Sequence, residues 1–382
     1  MLVGIVGAPN SGKSTFFKAL TLIDVEIANY PFTTIKPNQG IAYVTTECPC
    51  KKLGVTCNPQ NSLCRDGIRF IPVKLLDVAG LVPGAHEGRG MGNQFLNDLV
   101  QASGLIHVLD TSGKTDSEGK PCENHDPADT IKFLEYEIDE WIRGITVRAF
   151  EKIKKLSQTQ KIPMEKLLAK QLSGLGIKEI DIKNAMKRFS PEDHEFASEI
   201  RKSAMPMIVA ANKIDTPSAQ KNFETLKNMN IPIIPCSAES ELALREAQRQ
   251  GLIDYMPDSK DFVIKGKPNE KQLNALEFIR KNVLEKYGST GVQKCLNTLV
   301  FKVLGMIAVY PVADISKLSD GMGNILPDAY LVPKGTTLRE FAFKIHTEIG
   351  EKFIGGLDIN KRKIGGDYEL KHGDIIEILT RR

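Results

Sequence analysis

Apolar positions recur along the chain in two ways. Short continuous runs read as buried strands: "LVGIV" from Leu2 to Val6, "FIPVKLLDVAG" ending at Asp77 and Gly80, "GLIHVLD" ending at Asp110, "PMIVAANKID" ending at Asn212, and "IPIIPCSAES" ending at Ser237. The first run leads through a glycine-rich turn into "KSTFFKALTLI", whose Phe16, Phe17 and Leu20 fall on helical spacing. Strands alternating with helices predict a mostly parallel sheet, and such open α/β sheets bind ligands at the C-terminal ends of their strands. From about Asp129 to Ser203 the period is helical throughout, and "ADTIKFLEYEIDEWIRGITVRAFEKIKKL" is long and amphipathic. This predicts a helical insertion packed as a hairpin on itself, with Phe133, Leu134 and Trp141 in its core. After "DFVIKGKPNEKQ" and the helical "LNALEFIRKNVLEKYG", the pattern changes to short alternating strands with one helix. The runs "TLVFKVLGMIAVYPV", "AYLVPKGTTLREFAFKIHTEIGEKFIGGLDI" and "YELKHGDIIEILT" predict a compact β-grasp module.

These changes of period divide the 382 residues into a discontinuous α/β domain over 1–115 and 206–297, an inserted α-helical domain over 116–205, and a β-grasp domain over 298–382. A hydrophobic content of 41% is enough to core all three. The net charge of +4 is small for this length, so composition alone demands no nucleic-acid partner. The opening apolar run is too short for a secretion signal and lacks a basic flank, and no later run approaches the length of a membrane span. A soluble, cytoplasmic protein is expected. Seven cysteines, an odd number, argue against a disulfide framework.

The glycine-rich turn, "GAPNSGKS", is a G-x-x-x-x-G-K-S phosphate loop between strand and helix. Here Asn10, Ser11, Gly12, Lys13, Ser14 and Thr15 would curl around phosphates at a helix N-terminus. Lys13 would reach the β- and γ-phosphates, and the Ser14 hydroxyl would ligate Mg²⁺. "DVAG" follows an apolar strand, so Asp77 is placed to hold Mg²⁺ and the Gly80 amide to face the γ-phosphate. Between them "NYPFTTIKP" offers Thr33 and Thr34, of which Thr34 is the preferred Mg²⁺ ligand. "NKID" supplies Asn212, Lys213 and Asp215 at a strand end, and "CSA" adds Ser237 and Ala238. A carboxylate at Asp215 can accept from guanine N1–H and N2–H₂, a pair of donors that adenine lacks. Lys213 can lay its stem over the base, Asn212 can tie this loop to the phosphate loop, and the Ala238 amide can meet guanine O6. GTP is the expected nucleotide.

Together, "GAPNSGKSTFF", "NYPFTT", "DVAGLVPGAHEGRGMGNQFL", "NKID", the helical insertion and the terminal β-grasp resemble the Obg superfamily of translation-factor-related GTPases. Within it the similarity is closest to the YchF or Obg-like ATPase branch, especially its archaeal relatives, and it covers nearly the whole chain. The resemblance implies an α/β P-loop NTPase fold: a GTPase domain with an inserted α-helical domain, and a C-terminal TGS-like β-grasp domain. Through the TGS-like segment it also implies a ribosome or tRNA partner. The residues there are less emphatic, because from Lys302 onward basic and acidic side chains nearly balance, with only "NKRK" and the terminal "TRR" locally positive. One position departs from the family. YchF and the Obg-like ATPases carry a glutamate where this chain has Asp215, and that change accompanies their ATP preference.

Ras-like enzymes orient the attacking water with a glutamine just after D-x-x-G, and that position is Leu81 here, so intrinsic turnover should be slow. By resemblance to related GTPases, Asn10 could hold K⁺ beside the β- and γ-phosphates; it could equally be a turn residue. His86 in "GAHEGRGMG" could reach the γ-phosphate through a water or be a solvated loop histidine, and Arg89 could be catalytic or merely exposed. Cys48, Cys50, Cys57 and Cys64 could bind Zn²⁺, although C-x-C followed by six-residue gaps does not match paired C-x₂-C knuckles; disulfides and free thiols stand as alternatives. Their place just after the threonine loop suggests a role in ordering it. The expectation is a Mg²⁺-dependent GTPase that hydrolyses GTP slowly to GDP and phosphate as a translation-associated switch. Against it stand a nucleotide-gated RNA-binding adaptor with incidental hydrolysis and an ATPase like the YchF relatives.

Overall fold

A computed structural model describes residues 1–22, 38–78, 84, 86, 98–160 and 162–381, with the backbone alone for 155–160. Its contacts group the described residues into two units: those of 1–40 and 74–299 form one, and those of 41–73 and 300–382 the other. In chain order the first strands are β1 (Leu2–Val6), β2 (Gln39–Glu47), β3 (Leu63–Arg65), β4 (Ile68–Asp77), β5 (Gly104–Asp110), β6 (Met207–Asn212) and β7 (Ile233–Pro235). No helix among the described residues is long and apolar enough to cross a membrane.

The first unit is built on the order β4-β1-β5-β6-β7, with every neighbouring pair parallel. β5 and β6 are buried along their whole length, which is why they read as continuous apolar runs and not as alternations. The register sets Ile5 beside Asp77, Val6 beside His107 and Asp110 beside Asn212, so the chemically useful residues share one edge. Helix α1 (Lys13–Thr21) follows β1 and buries Phe16, Ala19 and Leu20. An antiparallel hairpin, β8 (Ile253–Tyr255) with β9 (Phe262–Ile264), completes the strands of this unit.

The insertion consists of α2 (Pro127–Gln160), α3 (Met164–Leu172), α4 (Glu179–Ala185) and α5 (His194–Ala204). Leu134, Ile138 and Ile142 recur every four residues on α2 and are buried with Leu168, Leu172, Ile182, Phe196 and Ile200, while Phe133 and Trp141 pack against them. The same cluster runs on into Val6, Leu76, Leu105 and Met207. The insertion is therefore not closed on itself as its sequence suggests. At about 1.5 Å per residue, α2 is far longer than any of its three partners, and the sheet covers the rest of its apolar stripe. Asp139 is buried here against Arg201, with Nε to Oδ1 at 2.7 Å. Burial pushes the Asp139 carboxyl above its ordinary value and the guanidinium only partly offsets this.

The second unit joins the chain's early hairpin to its C-terminal module. β2 lies beside β4, and β3 pairs antiparallel with β4. The module has five strands: β10 (Met306–Val312), β11 (Tyr330–Pro333), β12 (Phe353–Leu357), β13 (Lys363–Ile364) and β14 (Ile375–Thr380), in the order β11-β10-β14-β12-β13. β10 and β14 are parallel neighbours and the other pairs antiparallel, the β-grasp arrangement. The helix Leu338–Ile345 starts at a capping box of Thr337 and Glu340 and buries Leu338 and Phe341 against Val309, Val332 and Ile376. The strand expected to begin with "TLVFKV" starts only at Met306, because Thr298–Val303 continue the preceding helix as wide turns.

Candidate nucleotide site

β1 delivers the chain into the phosphate loop, and Gly12 ends that loop at φ 89°. A Cβ at Gly12 would lie 2.3 Å from Asn212 Nδ2, so both backbone angle and space require glycine. Gly12 also starts α1 with no side-chain cap, which leaves the amides of the first turn, Lys13, Ser14 and Thr15 among them, as anion donors. The Ser14 side chain is exposed and Thr15 half-buried, whereas Ser11 is buried. Lys13 Nζ lies 2.9 Å from Asp77 Oδ1 and donates to the Val78 carbonyl, so the loop lysine and the strand-end aspartate meet.

Asn212 ties three segments together. Its Nδ2 donates to the Ser11 carbonyl at 2.9 Å, and its Oδ1 accepts from the Ala238 N–H at 2.9 Å. The Ala238 amide, expected to face guanine O6, is thus engaged within the protein, and meeting a base would require it to share or exchange that bond. Lys213 adopts φ 64° and extends its ammonium to the Asn10 carbonyl and to Asp110 Oδ2, both at 2.8 Å. Burial would raise the Asp110 carboxyl, but hydrogen bonds from Lys213, Ser112 and Thr115 outweigh it and hold the group below its ordinary value. Asp215 follows on the turn closed by Thr216 and Pro217, which start α6 (Pro217–Leu226). Its carboxylate is half-buried and accepts no hydrogen bond among the described residues.

Ser237 caps the next helix, α7 (Ala238–Arg249), accepting from Ser240 N at 3.3 Å. Beneath it the fully buried Glu241 pairs with Arg245 at 2.6 Å and accepts from the Tyr255 hydroxyl at 2.7 Å and from Thr290. The Ser237 N–H donates to the Thr290 carbonyl at 2.9 Å, so this buried network braces the "CSA" turn.

The remaining candidates are placed less simply. Asn10, at φ 63°, donates its side-chain amide to the Gly119 carbonyl at 3.0 Å, tethering the phosphate loop to the turn after β5. His86 points toward the insertion: its Nδ1 lies 2.7 Å from Glu137 Oε2 on α2, and its ring meets Tyr136 edge-on. The same buried Glu137 carboxylate accepts from the Gly84 and His86 N–H groups at 2.9 and 3.2 Å. Thr33, Thr34, Gly80, Leu81 and Arg89 lie outside the described residues. Cys48, Cys50, Cys57 and Cys64 converge within the second unit. Sequence reading missed the roles of Asp110, Glu137 and Glu241. Only Asp110 had a signal, since it ends an apolar strand level with Asn212.

Comparison with known proteins bears on the same segments. Residues 2–152 match the family described as 50S ribosome-binding GTPase, 210–314 the Obg-like GTPase YGR210-like, G4 motif-containing domain, and 322–380 the TGS domain. An uncharacterised GTP-binding protein of Methanocaldococcus jannaschii is 53% identical over 390 residues, 99% of each chain. The ribosome-binding ATPase YchF of Mycoplasma genitalium is 32% identical over 66% of this chain and 70% of its own. A crystal structure of a GTP-binding protein from Pyrococcus horikoshii OT3 covers both chains completely at 40% identity, with a TM-score of 0.79. A parallel sheet with a phosphate loop after its first strand, joined to a TGS domain, defines a P-loop nucleotide-binding protein. More narrowly, the chain belongs to the YchF-like GTP-binding proteins of the Obg superfamily.

Proposed function

We propose that the protein is a Mg²⁺-dependent GTPase switch that hydrolyses GTP slowly to GDP and phosphate and works with the ribosome or tRNA in the cytoplasm. The Asp215 carboxylate carries this reading. It is half-buried, accepts no hydrogen bond among the described residues, and follows the turn that Lys213 braces, which suits it to the paired N–H donors of guanine. Lys213, its ammonium held by the Asn10 carbonyl and the Asp110 carboxylate, offers its stem as a floor for the base.

For Mg²⁺ the donor set fits: the exposed Ser14 hydroxyl and the Asp77 carboxylate are hard oxygen ligands beside Lys13, and Thr34 would be the third from this chain. When bound, the ion neutralises phosphate charge. Lys13 and the first-turn amides of α1 hold the phosphates, and Asn212 locks base corner to phosphate loop. With Leu81 in place of a water-orienting glutamine, hydrolysis depends on another group, and His86 is the candidate once it leaves Glu137. The ribosomal role is supported by the TGS domain and by the ribosome-binding activity named for the YchF relative.

A second reading, ATP as the nucleotide, is favoured by the Ala238 amide being engaged with Asn212 and by the ATPase named among the relatives. Titrating purified protein with fluorescent GTP and ATP analogues in Mg²⁺ decides between them. GTP should bind at least tenfold more tightly; ATP affinity equal or greater would overturn the base assignment.

A further inference from the structure

Four of the seven cysteines are brought to one point by local devices in the chain. Cys48 precedes and Cys50 lies on the single-turn helix Pro49–Leu53, which proline starts and Gly54 stops at φ 65°. Cys64 lies on β3, which Asp66 and Gly67, at φ 51° and 73°, fold back onto β4 as a two-residue hairpin. The Cys48 N–H donates to the Gly67 carbonyl at 2.8 Å and so draws the end of β2 against that hairpin.

The four sulfurs lie within 4.8 Å of one another, with Cys48 to Cys57 at 3.9 Å and Cys50 to Cys64 at 3.8 Å. Zinc–sulfur bonds of about 2.3 Å give a tetrahedron with edges of about 3.8 Å, whereas bonded disulfide sulfurs lie only about 2.0 Å apart. The spacing that fits no paired knuckle in sequence therefore fits the metal in space.

Arg69 supplies an independent observation. It is the cross-strand partner of Cys64 and is fully buried. Its guanidinium donates to Ser62 Oγ and the Leu326 carbonyl, both at 2.9 Å, and lies 5.4 Å from the centre of the Tyr310 ring. Among the described residues it makes no ion pair, and burial holds the nearby Asp328 carboxyl above its ordinary value. A buried cation bonded to neutral acceptors is costly without a nearby anion. Four thiolates around one divalent ion form a dianion, which would compensate it.

We propose that Cys48, Cys50, Cys57 and Cys64 bind one structural Zn²⁺, closing the segment 48–64. Four protein ligands leave no open position, so the ion organises the fold and does no chemistry. The closed segment presents residues 58–61, which hydrogen-bond with 324–329 of the C-terminal module.

The test is metal analysis of the full chain, purified from zinc-supplemented cells without metal-affinity resin or chelators. About one zinc per chain is expected, released as a mercurial reagent titrates the thiols, and Co²⁺ in its place should give the absorption of a tetrahedral tetrathiolate. C64S should lose the zinc and C122S keep it. Absence of metal with all thiols free, two disulfides in the cluster, iron in place of zinc, or full retention of zinc in C64S would each overturn the proposal. The wild-type metal content does not depend on whether a variant folds.

Discussion

Two aspartates flank Lys213 and are used differently. Asp110 is saturated: Ser112, Thr115 and Lys213 all donate to it, so it serves to fix the lysine. Asp215 has no such partners among the described residues, and a half-buried carboxylate in that condition is ready for a ligand's donors. Asp215→Asn keeps the shape but replaces one acceptor with a donor facing guanine. Hydrogen bonds to charged groups are worth about 1.5–3 kcal/mol, so GTP affinity should fall roughly tenfold to a few hundredfold with ATP affinity little changed. Equal weakening of both nucleotides by titration would mean that Asp215 reads no base. His107 poses a different question at the same scale. It is buried in β5 with Nδ1 unpartnered among the described residues, and burial pulls its pKa from 6.5 down to about 4. The unfolded chain therefore takes up this proton first as pH falls. The contribution is complete above pH 6.5, erodes down to about pH 4 and is then lost, at a cost of roughly 3 kcal/mol. His107→Leu should flatten that part of the denaturation profile relative to wild type, and parallel profiles would reject the assignment.

At the scale of elements, α2 holds Gly84 and His86 through Glu137. One buried carboxylate accepts the Gly84 and His86 N–H groups and the His86 ring, holding a segment that follows the D-x-x-G motif. Glu137→Gln leaves a single acceptor oxygen and turns an N–H₂ toward donors. A loss of about 1–3 kcal/mol should speed hydrogen exchange at Gly84 and His86 by roughly five- to a hundredfold. Because His86 must leave Glu137 to act on phosphate, GTP turnover should rise in this variant and fall in His86→Ala; unchanged turnover in both would remove His86 from the chemistry. None of this was legible in sequence, since Glu137 is one carboxylate among many on an amphipathic helix and its partners lie 51 and 53 residues away. The five parallel strands and the phosphate loop were legible because long apolar runs and a glycine pattern are local signals. β2 and β3 were not: the former is only partly buried and the latter has three residues. "TLVFKV" misled because its β-branched residues continue a helix already begun at Val292, and tertiary packing overrides propensity.

At the scale of the whole molecule, the second unit is assembled from sequence ends that lie far apart. Residues 41–73 and 300–382 meet through Asn58, whose N–H donates to the Ile325 carbonyl at 3.0 Å and whose side chain reaches Asn324 at 2.8 Å. Gln60 N–H donates to the Pro327 carbonyl at 2.7 Å, and Asn61 exchanges two bonds with the Ala329 backbone at 2.9 and 3.3 Å. At roughly 0.5–1.5 kcal/mol each, a handful of such bonds is a large part of the 5–15 kcal/mol that holds a typical domain. The two asparagines supply their side chains to backbone groups that water would otherwise have to satisfy, so their removal costs more than their number suggests. Asn58→Ala combined with Asn61→Ala should therefore destabilise the second unit by about 2–5 kcal/mol. The measurement is hydrogen exchange in the full chain. Amides of 324–329 should lose protection together with those of 58–61, while β1, β5 and β6 keep theirs. If 324–329 exchange at the wild-type rate, the early hairpin only rests against the C-terminal module and does not hold it.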